Sequence, residues 1–152
     1  MKPHPLFSGF QIPSEHRLGP IVLKALGIAD LDRDFEAVME SKADIQAAFP
    51  GGSWPQGLTR EKNLVDLGWH QKEFETGRSF AWIIEDLAGN YLGCVYVYPS
   101  IAGDKSADVV WWWRTGARAD KPAFASEFLG WLNGPDWPDL TYTALGRRET
   151  GS

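Results

Sequence analysis

The chain holds one cysteine, Cys94, and three scattered histidines, His4, His16 and His70, so an internal disulfide is excluded and no spacing suits a zinc-type ligand set. No metal is expected. Its apolar runs last only a few residues, far short of the roughly 20 that span a bilayer. The first twenty residues mix Pro, His, Ser and Gly instead of forming an apolar signal core. The expectation is a cytoplasmic protein with no membrane partner. Basic residues number 15 against 20 acidic ones, a formal net charge of −5, which opposes general binding to the phosphates of nucleic acid. What is plentiful is aromatic surface: 8 Trp, 8 Phe and 4 Tyr in 152 residues. Each buries roughly 150–250 Å², so a core rich in indole within one domain is expected.

Four prolines (Pro3, Pro5, Pro13, Pro20) deny the opening segment a helix. Ile21 to Leu26, β-branched at its start and followed by Gly27, suits a first strand. From Asp30 onward, Asp32, Asp34 and Glu36 favour a helix N-terminus, while Leu31, Phe35, Val38, Met39, Ile45 and Phe49 fall near helical spacing. One helix over about 31–48 is expected, closed by Pro50-Gly51-Gly52. Thr59 can cap a second, carrying Leu64, Leu67, Gln71 and Phe74 and ending at Gly77. Then the period changes. Phe80–Glu85 and Tyr91–Tyr98 read as a hairpin around Asp86–Asn90, and Asp108–Arg114 as a third strand whose bulk on both faces implies that both are covered. Pro122 opens a helix reaching Asn133-Gly134-Pro135, and Leu140–Thr143 gives a short last strand.

That order, with these words in it, resembles the GNAT superfamily of N-acetyltransferases. The resemblance is carried by the hairpin Leu92-Gly93-Cys94-Val95-Tyr96-Val97-Tyr98-Pro99-Ser100, by Asp34–Met39 as first helix, by Asn63-Leu64 through His70 to Glu73-Phe74 as second, and by Asp108–Arg114 as fourth strand. It covers roughly residues 6–143 and implies an α+β, three-layer α/β/α sandwich with a mixed, mostly antiparallel sheet, the acyl-CoA N-acyltransferase type. It further implies an N-terminal arm (1–18), a GNAT-like domain (19–146) and a polar tail (147–152). In such a domain the family's fourth and fifth strands splay apart, and acetyl-CoA enters the gap as cosubstrate. Main-chain groups at the end of the fourth strand hold the thioester and pantetheine, which maps to Trp112, Trp113 and Arg114. Pyrophosphate sits on a glycine-rich turn opening the next helix.

Two departures matter. The family's turn reads Gln or Arg, two residues, Gly, one residue, then Gly or Ala; here Arg114-Thr115-Gly116-Ala117-Arg118-Ala119 puts Gly one place early, and Asp120 adds like charge at the helix mouth. Arg114, Arg118 and Lys121 can supply cationic contacts instead. Only about nine residues follow Thr143, so the thiolate-protonating tyrosine that many relatives carry on a further helix cannot be carried over onto this sequence. Tyr142, Tyr98 and Tyr96 are the nearby chemical substitutes. The edge left open is one that a second subunit, making a homodimer, could cover.

The amine that attacks the thioester needs a route for its proton, and His70 on the second helix, beside the family's acceptor site, can relay it. His70, Tyr98 and Tyr142 are thus the candidate catalytic residues, and Trp112, Trp113, Arg114, Thr115, Gly116, Arg118 and Lys121 the candidate cofactor contacts. Glu73 and Glu85 have a weaker case as bases, Cys94 reads as a small buried hydrophobe, and the acids from Asp30 to Glu40 as a solvated helix face. In Trp111-Trp112-Trp113 only the first and third can share a face, and packing accounts for them better than a stacking platform. The function expected is transfer of acetyl from acetyl-CoA to a small amine. A catalytically silent GNAT-fold protein binding a ligand or partner is the alternative, and a sugar-binding module a third.

Overall fold

A computed structural model describes residues 2–49, 51–101 and 104–145. Pro50 and the polar tail lie outside the described residues. Six strands, β1 (Glu15–Leu18), β2 (Ile21–Ala25), β3 (Phe80–Asp86), β4 (Tyr91–Pro99), β5 (Ser106–Trp113) and β6 (Thr141–Ala144), form one sheet in sequential order. All neighbours are antiparallel except β5 and β6, which run parallel. Three helices, α1 (Leu31–Glu40), α2 (Lys42–Ala48) and α3 (Arg60–Glu75), cover one face; α4 (Lys121–Leu132) covers the other. The mixed, mostly antiparallel three-layer sandwich expected from the sequence is the one observed.

Alternation along the strands divides the core. Phe80, Trp82 and Ile84 meet the α4 side, whereas Ala81 and Ile83 meet the side of α1 to α3. The three consecutive tryptophans split as their parity demands: Trp111 and Trp113 both pack on Phe124 of α4, and Trp112 lies on the opposite face. Trp82 and Trp112 are the bulkiest fully buried side chains. The indole-rich core is therefore real on both faces.

Local chemistry explains most boundaries. The Thr59 hydroxyl accepts from the Lys62 N–H at 3.1 Å and starts α3 as expected. Asp86 closes the β3–β4 hairpin by accepting from the Ala88 and Asn90 N–H groups, each at 2.9 Å. The opening arm buries Phe7 and Ile12, and its last four residues are drawn into the sheet as β1.

Two further findings differ from the sequence reading. The single helix expected over 31–48 is interrupted at Ser41, whose φ of −117° leaves the helical range. Ser41 is fully buried, and its hydroxyl accepts the Thr115 N–H at 3.0 Å, so the break delivers a hydrogen-bond acceptor to the chain leaving β5. The second is a bulge. Glu85 pairs with Tyr91 and Ile84 with Gly93, leaving Leu92 as an extra residue in β4. Across the bulge the parity changes, so that Tyr91, Cys94 and Tyr96 all face α1 to α3.

Candidate functional site

Helical spacing sets one wall of a cleft. Asn63, Asp66, Leu67 and His70 recur at three- and four-residue intervals along α3 and so share its inward face. Tyr96 and Tyr98, two apart on β4, share the sheet face beneath. The segment after α2 supplies Phe49 and Trp54 opposite, and together these enclose about 520 Å³. The His70 and Tyr96 rings stand 5.5 Å apart, and Tyr96 and Tyr98 stack at 6.0 Å. Two of the three catalytic candidates, His70 and Tyr98, thus line the same cavity. The third does not: Tyr142 packs on Trp137 in the α4-side core, and its hydroxyl donates to the Pro138 carbonyl at 2.8 Å.

Beneath the cleft is a polar network that sequence reasoning missed. Asp34 is only 3% exposed. Its carboxylate accepts from Asn63 Nδ2 at 2.9 Å and from the Tyr91 hydroxyl at 2.5 Å, and that hydroxyl also lies 3.0 Å from Cys94 Sγ. Burial raises the pKa of Asp34 above the usual carboxylate range, with the Tyr91 and Asn63 hydrogen bonds opposing it. Burial also pushes Cys94 and Tyr91 well above their ordinary values. Cys94 is consequently a poor nucleophile, in line with its reading as a buried hydrophobe. The signal for Asp34 was present: it falls with Leu31, Phe35 and Val38 on the apolar stripe of α1. Tyr91→Phe leaves one Asp34 oxygen without its donor, at an expected cost of about 2 kcal/mol. Denaturant unfolding of wild type and variant reads that loss.

The titrating groups that face the cavity behave distinctly. Burial lowers His70 to about 4, so its imidazole is neutral at pH 7. Desolvation raises Asp66, and the hydrogen bond from the Trp54 side chain pulls it back. Burial keeps Tyr98 protonated far above neutral pH, and among the described residues no hydrogen bond engages its hydroxyl. Trp112 Nε1 donates to the Tyr96 hydroxyl at 3.0 Å.

The other candidates gather at the end of β5. Thr141 N–H donates to Lys105 O and Leu145 N–H to Val109 O, both at 2.9 Å, whereas Arg114 N–H donates to Leu92 O at 2.7 Å. Odd-numbered residues of β5 therefore turn their main-chain groups toward β6 and even-numbered ones toward β4. Trp113 presents its N–H and C=O on the β6 side, past the last described β5–β6 pair, Val109 with Ala144. Lys121 Nζ lies 5.9 Å from the Trp113 ring centroid, and Gly116 turns with φ +81°. Arg118 is exposed.

Two of these residues have other engagements. The Arg114 guanidinium donates twice to Glu40, at 2.8 and 2.9 Å, which raises its own pKa and lowers that of Glu40. The Thr115 hydroxyl donates to Asp44 at 2.6 Å. Both side chains fasten the exit of β5 to α1 and α2 instead of standing open. The weaker base candidates are likewise occupied: Glu85 is buried against Arg33 and Lys24, and Glu73 accepts from the Ser79 hydroxyl at 3.1 Å. Asp120 caps α4 by accepting the Ala123 N–H at 3.0 Å. Pro122 has no N–H, so the anion-attracting end of this helix already holds a carboxylate. Among the described residues no three His, Cys, Asp or Glu side chains gather for a metal, and no helix is long and apolar enough to cross a membrane.

No protein-family profile and no curated protein sequence matches this chain. Solved structures do match. RimL, the ribosomal L7/L12 α-N-protein acetyltransferase in complex with coenzyme A, superposes with a TM-score of 0.63 at 15% identity, covering 80% of this chain and 66% of that one. The ribosomal-protein-S5-alanine acetyltransferase of Vibrio fischeri gives 0.60 at 10%, over 80% and 68%. RimJ of Mycobacterium smegmatis in complex with CoA-disulfide gives 0.58 at 15%, over 85% and 63%. The chain spans about two thirds of the length of these proteins. With its curled mixed sheet, its helices on both faces and β5 beside a parallel β6, the architecture is that of the GNAT acyl-CoA N-acyltransferases.

Proposed function

We propose that this protein is an N-acetyltransferase that takes its acetyl group from acetyl-CoA and places it on an amine bound in the cleft between α3 and β4. The observation that carries this reading is the position of the cleft relative to the stretch of β5 that lies beyond its last pair with β6 among the described residues. Tyr96 stands opposite Val110 in the ladder, three residues before Trp113. At about 3.3 Å per residue that is roughly 10 Å along the strand, a span that a pantetheine arm can cover. Two of the structures that share the fold were solved with CoA or CoA-disulfide. The residues present fit the arm: Trp113 offers one N–H and one C=O, and Arg118 and Lys121 offer charge for the diphosphate. The diphosphate must share the α4 N-terminus with Asp120, so affinity below that of an uncapped helix is expected.

When bound, acetyl-CoA supplies the thioester. The amine nitrogen bonds to the acyl carbon, the C–S bond breaks, and the electron pair leaves with sulfur. A primary ammonium has a pKa of about 10 and His70 titrates at about 4, so moving the first proton onto His70 is uphill by about 8 kcal/mol. That proton is lost instead to bulk solvent before attack, which at pH 7 costs about 4 kcal/mol. The second is lost only once the N–C bond forms and nitrogen becomes strongly acidic, and a neutral imidazole can accept it. Tyr98 donates a hydrogen bond to the departing thiolate, and water completes its protonation.

Thermal unfolding with and without acetyl-CoA tests binding. At 100 times the dissociation constant a ligand adds about 2.7 kcal/mol, an upward Tm shift easily read in a domain of this size. Arg118→Glu is expected to shrink the shift, and Asp120→Asn to enlarge it by removing like charge from the phosphate end. No shift at millimolar acetyl-CoA overturns the reading. Release of free CoA thiol on addition of amines then measures turnover, and the acceptors to be tried include small amines and, because the neighbouring structures modify ribosomal proteins, peptide N-termini.

A further inference from the structure

We infer that the acceptor is a small primary amine carried on a flat, apolar body, an arylalkylamine, with its ammonium group held at Asp66. This inference rests on the acyl-transfer reading and names the acceptor within it. Five aromatic rings, Phe49, Trp54, Trp69, Tyr96 and Tyr98, line the cleft, and among the described residues no Lys or Arg does. Rings in that number favour a flat apolar ligand, while a polyhydroxylated one would leave its hydroxyls unpaired against them.

Charge selects further. The cleft holds two carboxylates, and one of them is already used: both oxygens of Asp34 are engaged, by Asn63 and by Tyr91. Asp66 is different. It sits one helical turn before His70 on the same face of α3, is partly buried, and is approached by the Trp54 side chain. A carboxylate drawn out of water with no cationic partner in the cavity among the described residues is stabilised by an incoming ammonium ion, and rings beside it add cation–π attraction. His70 makes no competing charge, because it is neutral at pH 7. Trp69, 51% exposed, stands at the rim where such a ligand would enter. An anionic or zwitterionic acceptor meets no compensating cation there among the described residues.

A matched pair of probes tests this on the intact chain. Tryptamine and tryptophol share a body and differ in ammonium against hydroxyl. By calorimetry or competition, tryptamine should bind at least ten-fold more tightly, and Asp66→Asn should bring the two together while leaving tryptophol within about two-fold of its wild-type affinity. In thiol-release assays tryptamine and phenethylamine should exceed ethanolamine, glucosamine and a peptide with N-terminal serine by at least 100-fold in kcat/KM. Asp66→Asn should raise KM for tryptamine more than it lowers kcat. If tryptamine binds through Asp66 but no thiol appears with any amine, the recognition stands and the transfer reading falls. Equal affinity for the two probes, or a peptide or ethanolamine turned over as well as tryptamine, overturns the inference while leaving acyl transfer intact.

Discussion

Gly93→Ala is expected to destabilise the protein by about 3 kcal/mol, the upper part of the usual range for overpacking. The reason is contact, not backbone angle. A Cβ at residue 93 would lie 2.2 Å from the Trp112 carbonyl oxygen and 3.1 Å from the Trp113 Cα, both backbone atoms of the adjacent strand. No rotamer can relieve that. Gly93 follows the extra residue of the β4 bulge, where the strand's altered twist aims the Cβ direction along the sheet at its neighbour instead of out of it. Either β5 separates from β4, breaking the Arg114 N–H to Leu92 O bond, or the bulge unwinds. Chemical denaturation measures the loss, and a separate readout is its effect on acetyl-CoA: the displaced segment is the one that offers Trp113, so the Tm shift with acetyl-CoA should fall along with stability. A Gly93→Ala protein as stable as wild type would show that the two strands are not held at this spacing.

Acidification gives the second large effect. His70 has an ordinary pKa of 6.5 and a folded value of about 4. Below pH 6.5 the unfolded chain takes up a proton that the folded chain refuses, so the imidazole withdraws stability progressively until pH passes about 4. The full loss is about 3 kcal/mol, and most of it is present at pH 4.5. Asp34 works in the opposite sense: its raised pKa lets the folded state gain a proton before the unfolded state does, adding stability as pH falls. The contribution of His70 is therefore isolated by comparing wild type with His70→Phe at pH 7 and pH 4.5. The wild type should lose about 2 kcal/mol more than the variant over that interval. A parallel loss in both would place His70 in water. For turnover, the same burial predicts that the acid limb attributable to His70 lies well below pH 6.

Much of the architecture was legible because local chemistry and tertiary packing agree. Thr59 caps α3, Asp86 and Asn90 close the hairpin, Pro122 opens α4, and the parity of Trp111–Trp113 assigns their faces. The features that escaped are those in which a long-range partner overrides a local preference. Nothing near Ser41 in sequence interrupts the helical pattern; its buried hydroxyl answers to Thr115, 74 residues away. Arg114 reads as a phosphate-binding cation until Glu40 is found beside it. Of the residues lining the cleft, His70 and Tyr98 could be named from chemistry and resemblance; Asp34 reads in sequence as part of a solvated helix face although its spacing with Leu31, Phe35 and Val38 sets it on the apolar stripe, and Asp66 draws no reading because a lone acid in a helix carries no sign of the cavity it faces. Tyr142 lies apart from the cleft for a related reason: its strand is adjacent to the expected gap, yet its ring belongs to the opposite core.

The one-residue excess at Leu92 acts as a phase shifter for everything downstream on β4. Were Leu92 given a partner by one added residue in β3, plain alternation would run unbroken and Tyr91, three residues before Cys94, would turn to the α4 side, leaving Asp34 unshielded beneath the cavity, whereas deleting Leu92 would place Tyr91 two residues from Cys94 and keep its present face. A cleft floor and the acid below it are thus kept in step by a counting irregularity between two ribbons, and an insertion in β3 that cancels it should alter the chemistry of the chamber before it alters the outline of the molecule.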